Sequence, residues 1–261
     1  MASHTNPTAI PAVIPRQAWS VLVVSTLAFT VCFMVWMMFG VIGIPLKKSL
    51  GLSATEFGLL TATPVLTGSL IRVPLGIWTD RYGGRIVMAL LMAATVPAIW
   101  LMSYATAYWH FLVIGLFVGL AGGSFSVGTP YVARWFPKAR QGMAMGVYGA
   151  GNSGSAVNKF AAPALLAIGG WTLVPQVYAA IMLGTVIVFW LGSSSDPKHL
   201  VPSSVKFSDQ LKMLKDPKVL KPRLAASTRT PLSHTSSAAW FPMRGLGEEA
   251  KGLPFWAATR T

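Results

Sequence analysis

Charge is what this sequence has least of. Only 11% of its 261 residues are charged and 53% are hydrophobic, where a soluble domain carries about a quarter charged residues. A surface so poor in charge cannot be solvated throughout, so most of it faces an apolar medium. Acidic residues are the scarcest, seven in the whole chain, with only Glu56 and Asp80 before residue 196. Cysteine is limited to Cys32, inside an apolar run, which excludes a disulfide framework, a thiol pair and a cysteine metal cluster. His4, His110, His199 and His234 are scattered, and no H-E-x-x-H or grouped Ser, His and Asp pattern occurs. No enzyme, metal site or resident cofactor is expected. The net charge of +14 is spread, up to about residue 200, as single or paired basic residues between long apolar runs. That is how membrane-flanking charges are distributed, whereas phosphate tracking needs a basic patch. The expected partner is the lipid bilayer and not nucleic acid.

What the sequence does have is apolar length. A helix crossing about 30 Å of hydrocarbon takes roughly 20 mostly apolar residues. Six segments qualify: about 19–46, 56–78, 86–104, 109–131, 142–168 and 171–191. The fifth is the least apolar, being dense in glycine and polar residues. The reading is an all-α integral membrane protein, a six-transmembrane-helix bundle over residues 18–193. A polar, proline-punctuated N-terminus (1–17) precedes it, a basic linker (194–221) follows, and a weakly ordered tail (222–261) ends the chain. The linker reads either as an amphipathic helix on the anionic leaflet or as a solvated connection. Pro64, Pro74, Pro97, Pro163 and Pro175 are expected to mark kinks.

Basic residues also fix the expected orientation. With the N-terminus inside, cytoplasmic segments hold Arg16, Arg81 and Arg85, then Arg134, Lys138 and Arg140, while outer loops hold only Lys47 and Lys48. Positive-inside therefore predicts a multi-pass plasma (inner) membrane protein with a cytoplasmic N-terminus. Gly115, Gly119 and Gly123 in the fourth span, and Gly142 and Gly146 in the fifth, recur at four-residue spacing and are expected at close helix contacts.

Between the second and third spans stands Gly-Ile-Trp-Thr-Asp-Arg-Tyr-Gly-Gly-Arg, residues 76–85. Gly76 would allow close helix approach. Asp80 is placed to pair with a basic residue or cap a helix N-terminus, and Gly83 and Gly84 permit a turn with positive φ. Arg81 and Arg85 secure the inside orientation. The stretch resembles the G-x-x-x-D-R-x-G-x-R loop of the major facilitator superfamily. The resemblance implies a conformational latch made of Gly76, Asp80, Arg81, Gly83 and Arg85. It also implies a fold equivalent to the N-terminal half of a twelve-helix transporter.

Two cations lie inside spans, Arg72 and Lys159. A charge there costs about 2.5–3.5 kcal/mol on insertion scales, so each needs a partner or a watery cavity. Arg72 is eight residues before Asp80, roughly 12 Å deeper along a helix, and both acids lie at span ends. A transported anion would supply the missing counterion; alternatively Arg72 and Lys159 snorkel to the interfaces. Asn152 and Lys159, seven residues apart, share a helix face, and Gly149 and Gly151 leave backbone uncovered beside them.

The glycine- and asparagine-rich run at residues 142–159 resembles the signature of the nitrate/nitrite porter (NarK-type) family. Arg72, in Leu-Ile-Arg-Val-Pro, falls where that family has an anion-binding arginine. Phe125, after Gly122, Gly123 and Ser124, matches its aromatic wall, with core packing as the other reading. The resemblance implies nitrate or nitrite as cargo, with a proton as coupling ion by analogy to symporting members. It covers about residues 18–221. The family continues through six further spans, so the reading is a frameshifted or truncated chain, inactive alone. The alternatives are a half-transporter for another small anion or solute, and a non-transporting membrane partner of a full-length homologue.

Overall fold

The computed structural model describes residues 14–195, and every regular element there is helical. The expectations for the N-terminal stretch before residue 14 and for the linker and tail after residue 195 lie outside the described residues. The first span is α1 (Arg16–Trp36) and α2 (Phe39–Leu50), interrupted at Met37 and Met38. The second is α3 (Ala54–Leu70) and α4 (Arg72–Tyr82), parted at Ile71. The third is α5 (Gly84–Met102), continuous throughout. The fourth joins α6 (Tyr108–Val118) to α7 (Ser124–Trp135) through a 3-10 turn, Gly119–Gly123. The fifth begins as α8 (Lys138–Gly149), passes a second 3-10 turn, Ala150–Ser153, and enters α9 (Gly154–Gly192).

α9 is 39 residues long, which would reach roughly 58 Å if straight, far more than one membrane. It is not straight. The backbone leaves helical geometry at Gly169 and Gly170, and Gly170 takes φ +73, a conformation that a side chain with a Cβ resists. The Tyr178 hydroxyl donates to Asn158 Oδ1 at 2.8 Å although 20 residues separate them, about 30 Å along a straight helix. The chain therefore folds back at the glycine pair, and the last 22 residues of α9, after Gly170, form the sixth span. All six expected spans are present. Their outer faces carry Val23, Leu66, Leu70, Phe160, Ile168 and Leu191 exposed, a surface stable only against lipid or further protein.

Inside the bundle, α1 packs along α9, and α5 along both α9 and α6. Phe39, Ile42, Met88, Met92, Phe111 and Tyr178 fill the space between them. The glycine spacing in the fourth span performs as expected. A Cβ on Gly119 would stand 2.7 Å from the Pro64 carbonyl oxygen, and one on Gly123 2.3 Å from Leu75 Cδ1, so the second and fourth spans touch backbone to backbone. Gly142 and Gly146 overturn the same expectation, because a Cβ on either meets nothing within 4 Å. Spacing says which residues share a face but not which face meets a neighbour.

The prolines also differ from expectation. Helices run through Pro64, Pro97, Pro163 and Pro175, and only Pro74 accompanies an interruption, at Ile71. One proline removes one ladder bond, which the flanking bonds can carry, whereas a glycine run relaxes into 3-10 geometry. Both 3-10 turns are glycine-bearing.

Candidate functional site

Four spans are interrupted near their middles, at Met37 and Met38, at Ile71, at Gly119–Gly123 and at Ala150–Ser153. The interruptions are tied together by contact. Gly123 lies against Ile71 and Leu75, and Trp36 Nε1 donates to the Pro64 carbonyl at 2.9 Å. Phe29 stacks on Tyr148 with centroids 5.0 Å apart, and its ring lies 5.5 Å from that of Phe125. Gly151 also lies against the Phe29 ring. The residues at these points keep right-handed helical φ/ψ, so the spans change pitch there without unwinding.

A residue missed in the sequence pins one of these breaks. Asn158 is buried, its Nδ2 donates to the Met37 carbonyl at 2.9 Å, and its Oδ1 accepts from Tyr178. It thereby joins the first, fifth and sixth spans. An amide inside an apolar span was the available signal, passed over because its neighbour Lys159 carries the charge. Asn158→Ala is expected to cost about 1–2 kcal/mol, since it leaves a carbonyl and a hydroxyl unpaired. Melting of the detergent-solubilised chain checks this, with Tyr178→Phe expected to cost less.

Arg72 sits in the first turn of α4 and is exposed. Among the described residues it makes no hydrogen bond or ion pair. Neither acid reaches it. Glu56 closes a capping box with Ser53 at the start of α3, and Asp80, at the far end of α4, pairs with Arg134 of α7. Lys159 is likewise exposed and without a partner among the described residues. Asn152 is exposed; its Nδ2 donates to the Gly149 carbonyl at 2.8 Å, leaving the Oδ1 and one N–H open.

Gly149 has open space beside it, as expected. Gly151 does not: it is buried, and a Cβ there would stand 2.3 Å from the Phe29 ring. Its missing side chain serves packing rather than access. Phe125 is both readings at once, packed on Phe29 and facing Tyr148 at 6.1 Å, yet 42% exposed. No hydrogen bond, ion pair or ring contact joins Arg72, Asn152, Lys159 and Phe125 to one another.

At the basic end of the bundle Gly83 adopts φ +86 and starts the turn into α5. Gly84 is helical and admits the Tyr131 side chain instead. Asp80 binds Arg134, which also donates to the Thr79 carbonyl at 3.4 Å. So exposed a pair is worth about 1 kcal/mol or less in stability. Arg85 donates to the Trp190 carbonyl at 2.7 Å and lies over its ring at 4.4 Å. Gly76 departs from expectation, having nothing within 4 Å.

The model of the Major Facilitator Superfamily matches residues 24–259, past Lys221, where the resemblance read from the sequence ends. The "Probable nitrate/nitrite antiporter NarK1" of Thermus thermophilus is 42% identical over 208 residues, 75% of this chain and 46% of that protein. The "Probable nitrate transporter NarT" of Staphylococcus carnosus is 31% identical over 195 residues, 74% of this chain and 50% of its own length. The chain thus spans about half the length of these relatives. Among solved structures, a bacterial homologue of the human lysosomal transporter Spinster, inward-facing and unoccupied, superposes with TM-score 0.62. It covers 76% of this chain and 49% of its own, at 20% identity, a likeness of fold alone.

Proposed function

The chain belongs to the Major Facilitator Superfamily, and on that footing we propose that it supplies the cargo-binding bundle of a nitrate or nitrite transporter working by alternating access. It is an all-α multi-pass membrane protein, and the family is one of transporters rather than enzymes. The observation that carries the proposal is Arg72: a cation near the middle of its span, exposed on the bundle, with both acids of the described region engaged elsewhere or remote. Lipid does not tolerate such a charge, so the face that presents it borders a watery cavity, and a small anion completes it. The relatives' names, which speak of nitrate and nitrite, support the choice of anion. A planar guanidinium fork suits a planar oxyanion. Phe125 offers a half-exposed ring for stacking, Gly149 open backbone, and Asn152 and Lys159 further polar contacts from the fifth span.

In this reading the N-terminus and the basic loops are cytoplasmic, in the plasma membrane. The latch residues hold the cytoplasmic ends together in pairs, α4 to α7 through Asp80 and Arg134, and α5 to the sixth span through Arg85. The two carboxylates of the described region, Glu56 and Asp80, lie at the ends of the second span, so coupling to a proton rests on the family resemblance alone. The test is nitrate binding by the purified chain with competing anions. Saturable binding displaced by nitrite but not by sulfate supports the proposal. Absence of saturable binding, or equal displacement by sulfate, ends it.

A further inference from the structure

An apolar groove of about 380 Å³ runs between the second and third spans, with no polar surface in its lining. One wall is Ile71, Leu75, Trp78 and Tyr82, and Ile86 and Leu90 stand on the other. Trp78, Tyr82, Ile86 and Leu90 are all exposed, so the groove opens outward from the bundle. From Tyr82 to Ile71 it runs eleven helical steps along the span, roughly 16 Å at helical rise. That is about half of the ~30 Å hydrocarbon thickness, the depth of a single leaflet. Its shallow end lies at the basic loop. The Arg81 guanidinium sits over the Tyr82 ring at 5.5 Å, and Arg81 is exposed. The adjacent acid, Asp80, is already engaged by Arg134. Trp78 and Tyr82 are the amphipathic rings that settle at headgroup level.

From these features we infer that the groove is a binding site for an anionic phospholipid, with one acyl chain lying between α4 and α5 and the phosphate at Arg81. Apolar length fixes the chain, and the exposed Arg81 at the mouth selects the headgroup charge, as basic pockets at the ends of membrane helices do. The site is separate from the proposed nitrate face and does not depend on it.

The test uses the purified full chain in maltoside micelles, titrated with dioleoylphosphatidylglycerol or dioleoylphosphatidylcholine and followed by native mass spectrometry and thermal melting. Phosphatidylglycerol is expected to be retained and to raise the melting temperature, and phosphatidylcholine to be retained less. Arg81→Gln should weaken phosphatidylglycerol binding about fivefold, the worth of one basic side chain at an anionic surface, and leave phosphatidylcholine unchanged. Leu90→Trp, which fills the groove from an exposed position, should remove retention of both lipids. Arg140→Gln, an exposed cation at the start of α8, should bind as the unmodified chain does. Equal retention of the two lipids, or phosphatidylglycerol binding untouched by Leu90→Trp, overturns the inference. So does an equal loss in Arg140→Gln, which would mean diffuse attraction. A change in oligomeric mass on Leu90→Trp would make the groove a protein contact and also overturn it.

Discussion

Arg72→Ala is expected to abolish saturable nitrate binding by the purified chain while leaving its melting temperature almost unchanged. The two halves of that expectation come from the same observation. Arg72 bonds to nothing among the described residues, so the bundle loses no contact when the guanidinium goes, and an exposed substitution of this kind moves stability by about 0.5 kcal/mol or less. The anion, by contrast, loses its principal counterion on a face that borders water. A hydrogen bond to a charged group is worth about 1.5–3 kcal/mol, a loss of roughly tenfold to a hundredfold or more in affinity. Arg72→Lys should recover little, because a point charge replaces a planar fork that can hold two oxygens at once. Isothermal titration with nitrate and a melting curve on each variant suffice. Undiminished affinity in Arg72→Ala would remove the guanidinium from the site. A large fall in melting temperature would show that it serves the fold instead.

How far the sequence speaks can be followed residue by residue. The six spans were legible because each is a long apolar run, and the hydrophobic requirement of the bilayer acts on every residue in it. The pairing of Asp80 with a basic residue was legible because it is an acid at a helix end beside the basic loops. The breaks at Met37 and Met38 and at the two 3-10 turns were not legible. They follow from which helices meet at those levels, and no proline, the local signal for a break, stands at any of them; the one a proline accompanies is at Ile71. Gly151 and Asn158 were misjudged or missed for the same reason. A glycine reads alike whether it opens backbone to a ligand or yields space to Phe29, and an asparagine gives no sign of the carbonyl it will reach 121 residues away. Local chemistry is written in the chain, whereas the choice of neighbour is settled only when the helices pack.

Glycines of the fifth span give that distinction a sign. Gly154→Ala is expected to destabilise the bundle and Gly146→Ala to leave it unchanged or slightly stabilise it, although the two lie eight residues apart. Alanine is the better helix former by about 1 kcal/mol at either position. At Gly146 nothing opposes that gain, since the added methyl meets no atom within 4 Å. At Gly154 the methyl would stand 2.1 Å from the Thr30 carbonyl oxygen and 2.9 Å from the Met34 nitrogen. Both are backbone atoms of α1, unable to rotate aside, so the fifth span must move away from the first. Overpacking of this kind costs about 1–3 kcal/mol. Here it also pulls on the Phe29 contact of Gly151 and on the Asn158 bond to Met37, which lie on the same face of the fifth span one turn to either side. The losses are therefore coupled, and Gly154→Ala should exceed the cost of Asn158→Ala measured in the same detergent. Equal melting temperatures for the two alanine variants would mean that α1 and the fifth span do not approach as closely as their backbones require. The mid-span junction that presents Asn152 and Gly149 would then lose its rigid support.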